Sequence, residues 1–392
     1  MKADSDIDTV LDAAVQAGAV PGVLAAVVDD RRTLYEGGFG RRGLANDHPM
    51  SLDTVVWFAS MTKALVAAGA MQLIEQGRAE LDEPAARYMP ELGSPQVLEG
   101  FDDAGKPRLR AAKRPITVRH LFTHTSGFGY DIWNADVLRY MTEYDLPPLT
   151  DCRKKSLHQP LACDPGTRWE YGISIDWVGQ LVETLSGRSL RDYLRAELFD
   201  PLGMVDTDFI IGPSQRRRLA GMHQRHPDGT LEPIVLEVHQ QPEFFMGGGG
   251  CYGTVRDYAA FVQMIAGRGR ARTGARVLKP ETVALMGRNA IGELAAGELN
   301  AVLPTRANSS NFFPGMRQGW GLSFLINPEP SPAGRSAGSL CWGGLANTYY
   351  WIDPTRRVGG VIATQILPFA DPTVLALYDA FERAAYRTLV PA

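Results

Sequence analysis

The chain has 392 residues, 45% of them apolar, and its 40 Lys and Arg against 44 Asp and Glu leave a formal net charge of -4. So small an imbalance supplies no cationic face for a phosphate backbone, and nucleic acid is excluded from the expected partners. No apolar run reaches the ~18 residues that a bilayer span requires, so no membrane partner is expected, and the length has room for about two or three domains.

The opening residues MKADSDIDTVLDAAVQAGAVPG carry early acidic side chains and lack the apolar core and small-residue cleavage site of a secretory signal. The expected location is therefore cytoplasmic. Residues 8–17 place apolar side chains at helical spacing, and Gly22–Asp29 and Leu34–Phe39 read as strands joined by the polar turn Asp30-Arg31-Arg32. A long helix is predicted over Ser60–Gly77, rich in Ala, Leu, Met and Gln and closed by a glycine. Shorter helices follow near Val118–Leu121, Ile175–Ser186, Leu190–Leu198 and Asp257–Ile265. Strand signals return at Gly319–Ile326, Ser339–Trp342, Thr348–Ile352 and Val358–Thr364, and an amphipathic helix occupies Pro372–Leu389. Gly93–Arg114 and Ile291–Met316 are polar or irregular and read as surface loops or lids.

Strands at both ends around a helical middle predict an α+β fold: an antiparallel sheet assembled from both termini, flanked by helices, with an inserted and mostly helical domain. The division expected is residues 1–59 with 285–392 for the sheet domain and 60–284 for the helical one, the active site lying at their interface. Cys152, Cys163, Cys251 and Cys341 have no CxxC spacing, which speaks against a zinc site or a redox pair. Free thiols are expected; a Cys152–Cys163 bridge is the alternative, disfavoured in a reducing compartment.

Four motifs bear on chemistry. Ser60-Met61-Thr62-Lys63 begins the long helix, where residues three apart share a face, so the Ser60 hydroxyl and Lys63 amine come within reach as nucleophile and base. Taken alone, the same four residues also describe an N-cap serine and a solvated lysine. Tyr171 follows the turn Pro165-Gly166-Thr167-Arg168-Trp169-Glu170 and is placed to share the Ser60 proton with Lys63, or simply to pack in a core. Trp342-Gly343-Gly344-Leu345 ends a strand whose glycines admit a close neighbour, presenting the Leu345 N–H as an oxyanion donor, or else forms a plain hairpin. Gly249-Gly250-Cys251-Tyr252-Gly253 fits a nucleophile-elbow spacing, but a glycine run is a poor preceding strand, and Cys251 is set aside as a nucleophile.

The first three motifs resemble, in order and wide spacing, those of the serine β-lactamase and penicillin-binding protein superfamily, and in particular its class C-like branch, the family VIII carboxylesterases. Leu121-Phe122-Thr123-His124-Thr125-Ser126-Gly127 is similar to that group's LLTHTSG segment; Asp164–Tyr171 is similar to its approach to the catalytic tyrosine, and Gly248–Tyr258 to its glycine-rich loop. Val97–Asp103 and Pro115–Arg119 also resemble segments shared with related fungal polyketide acyltransferases. The resemblance runs from about Gly22 to Arg383. It implies Ser60 as the acylated nucleophile, Lys63 and Tyr171 as its proton-transfer partners, the N–H groups of Ser60 and Leu345 as the oxyanion hole, and no metal or organic cofactor. His124 would be structural, since Lys63 and Tyr171 already fill the base role.

Two departures bear on the substrate. The Lys-Thr-Gly of β-lactamases becomes Trp342-Gly343-Gly344, which replaces a cation with an apolar wall, and the usual Tyr-x-Asn becomes Tyr171-Gly172-Ile173. Both point to a small-molecule ester substrate, with Tyr130 and Trp133 joining Trp342, Gly343 and Gly344 around it. Ester hydrolysis is the leading expectation; acyl transfer, β-lactam or peptide hydrolysis and a non-catalytic binding protein are the alternatives. The oligomeric state is not encoded legibly.

Overall fold

The computed structural model describes residues 6–390. Its centre is a seven-stranded antiparallel sheet made of β1 (Gly22–Asp29), β2 (Thr33–Gly40), β3 (Gly319–Trp320), β4 (Leu325–Asn327), β5 (Ser339–Gly344), β6 (Thr348–Asp353) and β7 (Val358–Ala363). The strand order is β3-β4-β5-β6-β7-β1-β2, so the two ends of the sequence meet where β1 pairs with β7, Leu24 lying opposite Ala363. The expected α+β architecture, with an antiparallel sheet drawn from both termini, is the one observed.

The sheet is covered on both faces, which explains why β1 and β5–β7 are almost wholly apolar rather than alternating. Along β6 the side chains alternate between the two layers. Tyr349 and Trp351 pack on Tyr378 and Phe381 of α5 (Pro372–Leu389), whereas Tyr350 packs on Tyr258 of α4 (Val255–Ala266). Helix α1 (Asp6–Gln16) lies against α5. Helix α4, which the sequence division assigns to the helical segment, thus packs on the sheet, against β1, β6 and β7.

The middle of the chain holds α2 (Thr62–Glu75) and α3 (Ser174–Ser186), packed on each other. Helix α2 is buried continuously from Thr62 to Leu73, as expected of a helix apolar on every side. Three details differ from the sequence reading. The segment 93–114, expected as irregular, contains a hairpin pairing Gln96–Phe101 with Pro107–Ala111; its outer residues are charged and exposed, which masked the strand pattern. The expected strand Gly319–Ile326 is split into β3 and β4 by a turn in which Ser323 adopts a positive φ of 76°. A small sheet, in which Met222–Arg225 pairs with Leu231–Ile234 and runs parallel to Ile366–Leu367, was not anticipated.

All four cysteines are free. No helix among the described residues is long and apolar enough to cross a membrane.

Candidate active site

Ser60 lies in a tight turn, Ala59–Met61, that runs directly into α2. The turn is strained: Ala59 has a φ of 47°, in the left-handed region that costs a residue with a β-carbon on the order of 1 kcal/mol. Its neighbours hold it there. The Phe58 N–H donates to the Cys251 carbonyl at 3.0 Å, the Thr348 hydroxyl donates to the Phe58 carbonyl at 3.2 Å, and the Tyr258 hydroxyl donates to the Met61 carbonyl at 2.9 Å. Gly344, at the end of β5, touches the same turn so closely that a β-carbon there would lie 2.2 Å from the Phe58 carbonyl oxygen. A glycine is required where the sheet meets the serine turn.

One helical turn on, the Lys63 amine faces three oxygens: the Ser60 hydroxyl at 3.1 Å, the Tyr130 hydroxyl at 3.0 Å and the Gly248 carbonyl at 2.7 Å. The lysine is 1% exposed. Burial pulls its pKa well below the ordinary lysine value, opposed by the buried carboxylate of Asp176. With the proton gone, the amine still donates to two of its oxygens while its lone pair accepts from the Ser60 hydroxyl, the arrangement a general base requires.

Tyr171 approaches from the loop before α3. Its phenolic oxygen accepts the Trp342 indole N–H at 2.8 Å. Bonds from Ser60 and Trp342 favour the phenolate, but burial outweighs them and raises the pKa above the ordinary tyrosine value. Tyr171 therefore keeps its proton at neutral pH and can act as a proton donor, while Lys63 is the neighbouring group able to act as a base. Its ring is wedged among His124 at 4.7 Å, Trp342 at 4.9 Å and Tyr130 at 5.4 Å between centroids. His124 is fully buried, accepts the Gly172 N–H on Nδ1 at 3.4 Å and is held neutral by burial and by Lys63, so it braces the tyrosine loop.

Ser60 and Tyr171 open on a cavity of about 250 Å³, lined largely by apolar groups. Tyr130, Trp133, Trp342, Gly343 and Leu345, all expected from the sequence, are on its wall, while Gly344 is not; it is spent on the serine turn instead. Leu299, Leu303 and Arg306, from the segment expected as loop or lid, form part of the wall, together with Leu149, Leu236 and Met246. Arg306 and Asp131 are the charged residues that line it. Among the described residues no group of three or more His, Cys, Asp or Glu is placed to hold a metal ion.

Two features were missed from the sequence. Tyr130, expected only as a substrate wall, is also a direct partner of Lys63, across 67 positions of chain. Asp176, in the first turn of α3, is a fully buried acid within the electrostatic reach of Lys63. The only sequence signal for it was an acid inside the apolar run ISIDWVGQLV, five residues after Tyr171.

Residues 7–384 match the Beta-lactamase family. The chain belongs to the Beta-lactamase family. Within it, the chain is 32% identical over 398 aligned positions to a monacolin J acid methylbutanoyltransferase from Aspergillus terreus, covering 97% of this chain and 95% of that one. It is 30% identical to a lovastatin esterase from Penicillium rubens, over 97% and 98% of the two chains. A solved simvastatin synthase from Aspergillus terreus, a mutant form, superposes with a TM-score of 0.85 at 31% identity, over 97% and 96% of the chains. The β-lactamase-family relatives thus include both acyltransferases and an esterase, and the chain is an enzyme of this superfamily.

Proposed function

We propose that the chain is a serine carboxylesterase of the family VIII type, working through an acyl-Ser60 intermediate. The observation that carries this reading is the contact of a buried Lys63, its pKa lowered by burial, with the Ser60 hydroxyl, beside a phenol that retains its proton. Lys63 takes the Ser60 proton as Oγ attacks the ester carbonyl. The oxyanion is stabilised by the N–H groups of Ser60 and Leu345, two residues that line the cavity. Tyr171 gives its proton to the departing alcohol and is reprotonated from the lysine ammonium. Water then repeats the sequence on the acyl-enzyme, releasing the acid.

The apolar wall supports an uncharged acyl group, and Trp342 stands where a β-lactamase has a lysine for the substrate carboxylate. A second reading has support of its own. The similarity over nearly the full length to a methylbutanoyltransferase favours transfer of the same acyl group to an alcohol, with the cavity excluding water during the second half-reaction.

The test measures turnover of p-nitrophenyl acetate, butyrate and octanoate beside nitrocefin, with and without an added alcohol, for wild type and Ser60→Ala. Ester turnover well above nitrocefin, lost in Ser60→Ala, supports the esterase; an ester product formed with the alcohol in preference to free acid supports the transferase. Undiminished turnover by Ser60→Ala overturns both.

A further inference from the structure

The geometry points to Asp176 as a positioning residue for the base: it fixes the Gly248 peptide that holds Lys63, and its carboxylate is the charge partner of the ammonium formed when Lys63 takes the Ser60 proton. The inference rests on the acyl-Ser60 reading and deepens it.

Asp176 and Lys63 are joined through a single peptide group. The Gly248 N–H donates to Asp176 Oδ1 at 2.8 Å, and the Gly248 carbonyl accepts from Lys63 Nζ at 2.7 Å. The position has no room for adjustment. A β-carbon on Gly248 would lie 2.5 Å from Asp176 Oδ2 and 2.8 Å from the Tyr130 hydroxyl. Asp176 is 0% exposed and its Oδ2 has no hydrogen-bond partner, an expensive condition for a buried oxygen that serves packing alone. A hydrophobic residue in the first turn of α3 would avoid that cost. What the carboxylate supplies is negative charge beside a lysine that must carry a proton briefly and then release it.

The surrounding ionisable groups leave the pair to act alone. Tyr130 and Tyr171 are both pushed up by burial with Asp176 adding to the effect; Cys152 is pushed up likewise to about 12, and His124 is pushed down by burial and by Lys63. All four are neutral at neutral pH. Lys63 and Asp176 shift toward each other, the lysine down and the acid up, because each is desolvated; each, as the other's countercharge, opposes that shift. In the first half-reaction the Ser60 O–H bond breaks and its proton passes to Lys63 as the Oγ–acyl bond forms, so that the carboxylate faces an ammonium rather than an amine; the acyl–alkoxy bond then breaks, the alcohol leaves with the Tyr171 proton, and the ammonium reprotonates Tyr171. The arrangement parallels the acid of a Ser-His-Asp triad, which stabilises the cation its base becomes without taking the proton itself.

Asp176→Asn separates the two roles, since a carboxamide oxygen still accepts the Gly248 N–H but carries no charge. Removing the anion disfavours the ammonium, so the acid limb of the kcat/KM–pH profile on p-nitrophenyl butyrate should move down by about one pH unit, and the plateau should fall about tenfold because the base is weaker. Asp176→Ala should lose the peptide anchor as well and depress kcat further. An unmoved or upward-moved limb in Asp176→Asn overturns the proposal, leaving a structural acid. Should that variant fail to fold, carboxyl carbon NMR compares wild type with Lys63→Met: the Asp176 titration should rise in the variant, and an unchanged titration overturns the coupling. Ser60→Ala run alongside keeps the two readings apart. Retained ester turnover there defeats the acyl-serine mechanism, whereas its loss together with an unmoved Asp176→Asn profile defeats only the role of Asp176.

Discussion

The Trp342 indole N–H donates to the Tyr171 phenolic oxygen at 2.8 Å. Trp342 is therefore more than an apolar wall: it holds the Tyr171 phenol by a hydrogen bond that favours its charged form. Trp342→Phe keeps the aromatic packing and deletes the donor. Hydrogen bonds to a charged partner contribute ~1.5–3 kcal/mol, so kcat for ester cleavage should fall about 10- to 100-fold with a much smaller change in KM. Steady-state kinetics on p-nitrophenyl butyrate check this, and an unchanged kcat would show the bond to be incidental.

The pH dependence follows from Lys63. Its pKa is lowered by burial, and only the unprotonated amine accepts the Ser60 proton, so kcat/KM should rise with pH through a limb lying well below the range of an ordinary lysine. Each pH unit below that limb should cost about tenfold in rate. Lys63→Arg, which cannot lose its proton at any working pH, should abolish the limb together with the activity. A profile flat down to pH 4 would show that Lys63 is not the base.

Gly344→Ala tests the joint between sheet and serine turn. A β-carbon placed 2.2 Å from the Phe58 carbonyl oxygen and 2.3 Å from the Thr348 hydroxyl meets backbone that is already strained at Ala59. The variant should lose about 1–3 kcal/mol of stability through overpacking, and the shifted turn should slow labelling of Ser60 by a fluorophosphonate by at least about tenfold. Thermal unfolding and labelling rates measured on the same preparation check both.

Outside the cavity lining, Arg335 and Glu382 form an ion pair with side chains only 4% and 3% exposed, and the Arg335 guanidinium also donates to the Tyr378 hydroxyl at 2.7 Å. Glu382→Gln would leave a buried cation without its countercharge, a loss of about 3–5 kcal/mol. A drop in Tm with an unaltered KM in the surviving folded protein is the expected result. Replacing both residues by apolar ones of similar size should recover much of the loss.

What the sequence disclosed and what it withheld divide along the range of the interactions. Ser60 and Lys63 were legible as a pair because helical geometry alone brings residues three apart together. The strands β1, β6 and β7 were legible because burial on both faces makes them continuously apolar. The contacts of Lys63 with Tyr130 and Gly248 were not, since no local pattern announces that positions 67 and 185 residues away converge on one amine. Asp176 was hidden for a related reason: read locally, an acid in a first helical turn is an ordinary favourable placement, and only its complete burial marks it as different. The hairpin at 96–111 was concealed by the charges it exposes to solvent, Glu99 and Arg108 among them.

The pairing of β1 with β7 also sets the order of events during synthesis on the ribosome. Leu24 is translated hundreds of residues before Ala363, its partner across the ladder, and until then β1 presents an apolar edge of unpaired N–H and C=O groups. Strand β5, which seats the serine turn through Gly344, emerges almost as late. Ser60, although encoded early, is seated in its strained turn only once nearly all of the chain has left the exit tunnel. A nascent chain stalled before β5 would therefore hold both members of the Ser60–Lys63 motif and still be inert toward esters.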